Sequence, residues 1–541
     1  MTPIELLSSR ALLALVPWRR DDGSEGVAVA SLEDAVDVLL DDAGRALLAR
    51  VCGQRDRVIV FADAKPSLRW LLVRGIDVAR PVCLSTLDIL GGIEPTATPS
   101  GILASASLAQ SQARAALVGL EGRLVRVEQR GQRKVARLEC LVLRAFAALE
   151  HRGLPIRRAR WQELVDEERS NAAAARASLF ALAGDHVARD LFGTPDLNLD
   201  AEHEIRALLS RALGRPVEDT SRATLAALKH PLADAVLQWR ESQKIVTTYG
   251  DSFLEHVVDV GAGGVGRIRS TFVPLGASTG RVSCRDPNLQ NLPADPRFHE
   301  ALRAPPGRAL VTADYGTCEL RIVAELSEDP VFLEAFARGE DLHATVAASM
   351  FGVPVSKTQN AELRQRAKAI NFGLVYGMGP AALAASLGVG RDVGEELLNR
   401  YFRTFPRIRS YLEGSVELAL RRGYSETILG RRLYFDGDVL AGDNARGELG
   451  RIMKNMPIQG TSADMTKLAM VRLHERLLER CRGTAGLVNT VHDELVVECD
   501  ATAVDVVATC VREEMEEAHR SLLRRVPPLV EVNVGATWTH G

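Results

Sequence analysis

The stretch Arg364-Gln365-Arg366-Ala367-Lys368-Ala369-Ile370-Asn371-Phe372-Gly373-Leu374-Val375-Tyr376-Gly377 constrains this chain more than any other. Read as a helix, it sets Arg364, Lys368, Phe372 and Tyr376 four residues apart on one stripe. At about 1.5 Å per residue the stripe runs roughly 18 Å, with two cations at one end and two aromatic rings at the other. Fixed positive charge beside flat apolar groups suits a nucleoside triphosphate. Taken alone, the same spacing is explained equally well by an ordinary amphipathic helix.

Two acidic segments supply what that helix lacks. They read Val311-Thr312-Ala313-Asp314-Tyr315-Gly316-Thr317-Cys318-Glu319-Leu320-Arg321 and Asn489-Thr490-Val491-His492-Asp493-Glu494-Leu495-Val496-Val497-Glu498, and each sets an Asp at the end of a short β-like apolar run. Phosphoryl transfer asks a protein mainly to neutralise charge and align atoms. Two Mg²⁺ ions about 4 Å apart activate the attacking oxygen and hold the leaving one. Mg²⁺ needs only one or two carboxylates, the rest of its shell being water and phosphate. Asp314 and Asp493 are the candidate pair. A lone Asp at a strand end is more often a turn residue or helix cap, so the pair gains weight from the cationic helix between them.

Together these three segments resemble motifs A, B and C of the family A DNA polymerases, the bacterial DNA polymerase I group. Further matches run in family order: Ser278-Thr279-Gly280-Arg281-Val282-Ser283, Asp286-Pro287-Asn288-Leu289-Gln290-Asn291-Leu292-Pro293, Asp341-Leu342-His343, Leu429-Gly430-Arg431-Arg432 and Asn455-Met456-Pro457-Ile458-Gln459-Gly460-Thr461-Ser462-Ala463-Asp464. The resemblance covers roughly residues 135–541. It implies an α+β multidomain protein with a right-hand polymerase architecture of thumb, palm and fingers.

Site roles follow from the resemblance residue by residue. Asp314 and Asp493 are expected to hold two Mg²⁺ ions, for which Mn²⁺ substitutes, with the Tyr315 carbonyl as a further ligand. Arg364 and Lys368 are expected on the triphosphate with His343 nearby, and Lys368 also as proton donor to pyrophosphate. Phe372 is expected to pack on the nucleotide, Tyr376 to sit at the templating position, and Glu319 with Tyr376 to crowd the sugar 2′ position. Arg281, Asn288, Asn291, Arg451, Gln459 and His492 are expected on primer–template DNA, with Lys244 on the thumb helix. Glu494 is expected close to the metals. Taken singly, Glu319 reads as a solvated charge, His343 as a helix starter, His492 as a core histidine, and the Asn and Gln of 286–293 as loop residues.

The chain departs from the family at Gly316-Thr317-Cys318, where Ser-Gln-Ile is usual, and at Val273-Pro274-Leu275-Gly276-Ala277, where Asn-Gln-Thr is missing. Lys454 replaces a usual apolar or aromatic residue. These positions bear on fine positioning and leave the metal ligands and triphosphate contacts intact.

At 541 residues the chain has room for several domains. Its net charge of −3 advertises no global basic field, so DNA contact must rest on local clusters. The candidates are Lys244, Arg267 with Arg269, Arg281 with Arg285, Arg364 to Lys368, Arg421 with Arg422, and Arg431 with Arg432, although such a cluster alone is usually a solvated face. Eight Cys without a CxxC spacing fit a reducing cytoplasm. Residues 11–16 are too short to span a membrane and read as a first strand. The Gly-rich run 261–266 lacks the Lys-Ser/Thr of a phosphate loop and reads as a turn.

Residues 1–125 read as a separate α/β unit, with strands at 11–16 and 58–61 and helical patterns at 32–40 and 67–73. In the family this position holds a ribonuclease H-like 3′–5′ exonuclease, which needs clustered carboxylates for its own metals. The first strand, Leu13-Ala14-Leu15-Val16-Pro17, offers no Asp-x-Glu, and Arg69 or Trp70 stands where another Asp is expected. Asp21, Asp22 and Asp63 read as turn or loop residues. A degenerate domain without proofreading is therefore expected, and the 5′-nuclease domain that often precedes it is expected to be absent. Linker helix and thumb are assigned to 126–264 (helices at 160–179 and 231–257), palm to 265–321 and 462–541, and fingers to 322–461.

The resulting expectation is a monomeric, cytoplasmic, template-directed DNA polymerase acting on primer–template DNA and dNTPs, with no membrane partner. Two rivals stay open: a single-subunit RNA polymerase, and a catalytically dead protein that binds duplex ends. Glu319 argues against the first, and the intact Asp314, Asp493, Arg364 and Lys368 against the second.

Overall fold

The computed structural model describes residues 12–93, 104–189, 191–192, 195–258, 260–375, 377–435, 445–481 and 483–538. They fall into two compact units: residues up to 154, 269–290 and those from 307 on form the larger, and 155–268 with 291–306 the smaller.

The N-terminal part of the larger unit is a mixed sheet. Leu12–Arg19 pairs antiparallel with Glu25–Ala30, which pairs antiparallel with Ala35–Leu39; on its other side Leu12–Arg19 runs parallel to Val58–Phe61, and that strand to Pro81–Cys83. Leu13, Ala14, Leu15, Ile59, Val60 and Phe61 are buried, so the apolar runs form the centre of this sheet. The helical expectation for 32–40 is corrected. Val36 and Val38 lie opposite Val29 and Val27 in a strand, and this pairing of β-branched residues overrides the local helical pattern. The helix comes later, at Asp42–Cys52, where Asp41 caps the Gly44 N–H at 2.7 Å. Asp22 lies in the turn after the first strand and accepts from the Ser24 N–H at 2.9 Å, and Asp63 occupies the N-cap position of Ala64–Leu72.

The second sheet of this unit is fully antiparallel, in the order Ala485–Val491, Glu494–Asp500, Arg308–Tyr315, Val530–Gly535. Helix Val504–Leu522 packs against it and against Ala445–Cys481, a 37-residue helix that continues across the expected fingers–palm boundary at 461/462. Between the motif strands lie the helices Cys318–Ser327, Leu342–Phe351 and Ala361–Val375, with others to Pro406–Arg422.

The smaller unit is mainly helical. Arg158–Ala183 packs on Pro231–Tyr249, with Leu179, Leu208, Leu232 and Trp239 in the core. The second helix ends at Tyr249, short of the expected 257, because Gly250 leaves helical geometry at ψ −140°. The Trp161 indole donates to the Tyr249 carbonyl at 2.9 Å and stacks on Phe253, fixing that end. Residues 262–264 form a single turn with Gly263 and Gly264 at positive φ, as expected of the glycine run. All eight cysteines are buried and unpaired. No helix among the described residues is long and apolar enough to cross a membrane.

Candidate active site

Asp314 lies near the C-terminal end of Arg308–Tyr315, opposite Glu494 on one neighbouring strand and Glu531 on the other. Asp493 arrives by a two-residue hairpin turn: Val491 pairs with Glu494, leaving His492 and Asp493 as the loop, with His492 at φ 54°. Both carboxylates are half-buried at one end of the sheet. Burial, then the negative charges of Asp493, Glu494 and Glu531, push the Asp314 carboxyl up to about 8. Asp493 is also raised, by burial first. Glu494 is held by the buried Trp538 indole, which donates to its carboxylate. Among the described residues no Lys or Arg forms an ion pair with Asp314 or Asp493.

Such a gathering of like charges is costly until a cation neutralises it. Among the described residues no set of three or more His, Cys, Asp or Glu forms a metal cage. A pair of carboxylates fits an ion that completes its shell with water and phosphate. The Tyr315 phenol donates to the Met515 carbonyl at 2.7 Å, anchoring the strand end from which its own carbonyl is expected to serve.

The helix Ala361–Val375 carries Arg364, Lys368 and Phe372. Tyr376 lies outside the described residues. Arg364 Nε donates to Asp341 at 2.7 Å, and the other oxygen of Asp341 caps Leu342–Phe351 through the Ala344 N–H at 3.2 Å. Lys368 is exposed, its ammonium 5.9 Å from the centre of the exposed Phe372 ring. His343 is buried, 3.0 Å from the Asn371 amide and 5.7 Å from the Phe372 ring centre. Burial first, then Arg364 and Lys368, push it down to about 4, so it is neutral at pH 7. It contributes hydrogen bonding and shape to this face but no charge.

Glu319 follows the Asp314 strand through a tight turn in which Thr317 adopts φ 54°. Its carboxylate accepts from Arg281 Nη2. The residue expected to crowd the sugar is thus joined to one expected on the primer–template. The family-divergent Cys318 donates to Ser462 Oγ at 3.4 Å, on the long helix.

Of the other expected DNA-facing residues, Asn288, Arg451 and His492 are exposed and Gln459 is half-buried. The Asn288 side chain accepts from the Gln290 N–H at 2.9 Å, holding its own loop. Lys244 and Asn291 belong to the smaller unit; Lys244 is exposed and the Asn291 carbonyl accepts from the Tyr249 phenol.

The Arg431–Arg432 cluster is corrected. Arg431 is 3% exposed and binds Asp464 through Nε at 2.8 Å and through Nη2 at 2.6 Å, as well as Glu139. Lys467 joins Glu139 at 2.5 Å and the Pro274 carbonyl at 2.8 Å. Arg432 pairs with Glu426 at 2.7 Å. This buried network fastens the 274–281 segment: a side chain at Gly280 would collide with the Arg431 guanidinium. Sequence reasoning missed the network; the available signal was Asp464 and Lys467 three residues apart on one helix.

Residues 169–540 match the model of DNA polymerase family A. Thermostable DNA polymerase I of Thermus aquaticus is 37% identical over 363 residues, covering 64% of this chain and 42% of that protein. DNA polymerase I of Pseudomonas aeruginosa is 36% identical over 366 residues, covering 65% and 39%. The chain spans less than half the length of these relatives. A solved polymerase domain of Pol1 from M. smegmatis, in complex with DNA primer-template and dNTP, matches with a TM-score of 0.83 at 27% identity over 99% of this chain and 97% of that one.

Proposed function

The chain belongs to DNA polymerase family A, and on that premise we propose that it adds deoxynucleotides to a primer 3′-hydroxyl under the direction of a template strand, releasing pyrophosphate. The observation that carries this reading is the pair Asp314 and Asp493, half-buried and mutually repelling, with carboxyls raised by burial although Arg281 and His492 partly offset the charge at Asp493.

Two divalent ions, Mg²⁺ or Mn²⁺, would be held by Asp314, Asp493 and the Tyr315 carbonyl, and when bound they activate the attacking hydroxyl and neutralise charge on the leaving phosphates. Arg364 and Lys368 bind the triphosphate, and neutral His343 supports that face. As the bond between the α-phosphorus and its bridging oxygen breaks, Lys368 Nζ gives a proton to the departing pyrophosphate. Phe372, and Tyr376 beyond it, pack against the nucleotide and the templating base. Glu319 limits space at the sugar 2′ position. Arg281, Asn288, Asn291, Arg451, Gln459 and His492, with Lys244 of the thumb, hold primer–template DNA mainly through backbone and minor-groove contacts. Closure of the fingers around a correct pair completes the arrangement.

We assign the chain to the cytoplasm, a reading supported by its eight buried free thiols, and propose that it acts as a monomer. We further propose that it does not proofread, because Leu12–Arg19 carries no acidic residue. The test is primer extension on a defined template, with dNTPs and rNTPs compared. Template-directed extension with dNTPs, lost in Asp314→Ala and Asp493→Ala while DNA binding persists, is expected. Near-normal turnover in either variant would remove the assigned pair, and preferred use of rNTPs would favour an RNA polymerase.

A further inference from the structure

One cavity of the larger unit lies away from the carboxylate pair. It measures about 1170 Å³ and opens between the strands Val58–Phe61 and Pro81–Cys83, the helices Leu120–Gln129 and Arg133–Arg152, and the end of Ala445–Cys481. Its lining is aliphatic and charged and contains no Phe, Tyr, Trp or His. Bases therefore find no ring to stack on.

The charges are unevenly satisfied. All four lining carboxylates have arginine partners: Asp77 and Glu475 with Arg144 at 2.7 and 3.2 Å, Glu479 with Arg55 at 2.6 Å, and Glu128 with Arg133 at 3.8 Å. Lys134 and Arg137 are exposed and have no ion-pair partner among the described residues. They stand in the first two turns of a helix with no acidic residue in its first turn and no side-chain cap from Gln132. Cations at the positive end of a helix dipole, with Arg133 and Arg137 four residues apart, repel one another and the helix. Deeper in the cavity wall, Arg144 is 8% exposed and its Nε has no hydrogen-bond partner. Two leucines of the lining, Leu124 and Leu478, are 47% and 37% exposed, leaving apolar surface at the cavity in water.

We propose that this cavity is a docking site for a short acidic segment of a partner protein, with an aliphatic side chain between Leu124 and Leu478 and carboxylates against Lys134 and Arg137. A small anion would satisfy the cations but leave the leucines exposed, and a nucleic acid would meet the cations without a stacking surface. The acidic, leucine-bearing peptide is the occupant that answers both. The site is independent of nucleotidyl transfer.

The experiment is fluorescence anisotropy of a labelled synthetic peptide alternating Glu and Leu, titrated with the full chain at two salt concentrations. Saturable binding that weakens with salt is expected, together with a loss of about tenfold or more in Lys134→Glu/Arg137→Glu and a similar loss when the peptide leucines become Ser. The milder Lys134→Ala/Arg137→Ala variant, whose thermal unfolding should match the parent, should bind several-fold more weakly, and primer extension should be unchanged in both variants. Failure of the peptide to bind, equal binding by the charge-reversed variant, or displacement of the peptide by an oligothymidylate would overturn the proposal.

Discussion

Arg364 Nε lies 2.7 Å from Asp341, so the arginine expected to meet a triphosphate already has a carboxylate partner. The same carboxylate caps the next helix; burial raises it, but the Arg364 hydrogen bond, the Ala344 N–H and the arginine's charge together keep it below the ordinary carboxylate range. Asp341→Asn keeps a hydrogen-bonding side chain but frees the arginine's charge. It should lower the KM for dNTP a few-fold at little cost in stability. Asp341→Ala also loses the cap, at about 1 kcal/mol, and should raise KM by leaving Arg364 unplaced. Steady-state kinetics of both variants, with thermal melts, check this; an unchanged KM in Asp341→Asn beside a raised one in Asp341→Ala would mean that Asp341 acts only as a cap.

The Asp314 carboxyl, raised to about 8, makes metal binding a proton exchange. Below that pH the metal-free protein holds a proton that an ion must displace, so apparent Mg²⁺ affinity should rise with pH and level off above about 8. Calorimetry in buffers of different ionisation enthalpy should register proton release at pH 7 and little at pH 9. The sign for stability is opposite to that of an ion-paired carboxylate. The folded state keeps a proton that the unfolded state releases near pH 4, so stability falls as pH rises towards 8. Asp314→Asn should therefore stabilise the metal-free protein, increasingly so up to about pH 8 in urea titrations.

Three buried histidines, His343, His474 and His519, are pushed down to about 4, burial being the largest cause in each. Between pH 6.5 and 4 the unfolded chain takes up protons that the folded one refuses, so stability should fall over that window. His519 is the cleanest test, being 1% exposed with neither ring nitrogen hydrogen-bonded and its ring 6.4 Å from that of Tyr315. His519→Phe should flatten the acid slope, read as urea midpoints from pH 4 to 7. An unchanged slope would place the acid sensitivity elsewhere.

Because Arg281 is hydrogen-bonded to Glu319, shortening Glu319 does two things at once. Glu319→Ala should raise the ratio of ribonucleotide to deoxyribonucleotide use, through space opened at the 2′ position, and should also weaken primer–template binding as Arg281 loses its anchor. Arg281→Ala should reproduce only the second effect. Single-nucleotide insertion with each sugar, alongside DNA-binding titrations, separates the two, and an unchanged sugar ratio rules out steric exclusion by Glu319.

What was legible in the sequence was chemistry held by short-range geometry. A two-residue turn brings Asp493 to the sheet end, and a four-residue spacing aligns Arg364, Lys368 and Phe372, so both could be read from adjacent residues. The strand Ala35–Leu39 escaped notice because only its antiparallel partner decides it. Arg431 read as surface charge because Glu139, which helps bury it, lies 292 residues away in the chain. The Arg281–Glu319 contact likewise joins two motifs whose family roles differ. Local spacing reports which groups share a face, whereas distant pairing decides which charges remain available to a ligand.

The helix Ala445–Cys481 is a lever with a built-in compliant point. At about 1.5 Å per residue its 37 residues span roughly 55 Å. Pro457 deletes one backbone hydrogen bond within it, so bending is cheapest there. Asp464 and Lys467 clamp the distal arm into the buried charge network, while the proximal arm, which carries the exposed Arg451, is held by the buried Met453 and Met456 and by the Ser425 hydroxyl on the Met453 carbonyl. A 10° flexure at the proline would carry the N-terminal tip, about 18 Å away, through roughly 3 Å relative to the arm held by the charge network. Stiffness on one side of Pro457 is therefore what allows small angular changes on the other to become ångström-scale travel.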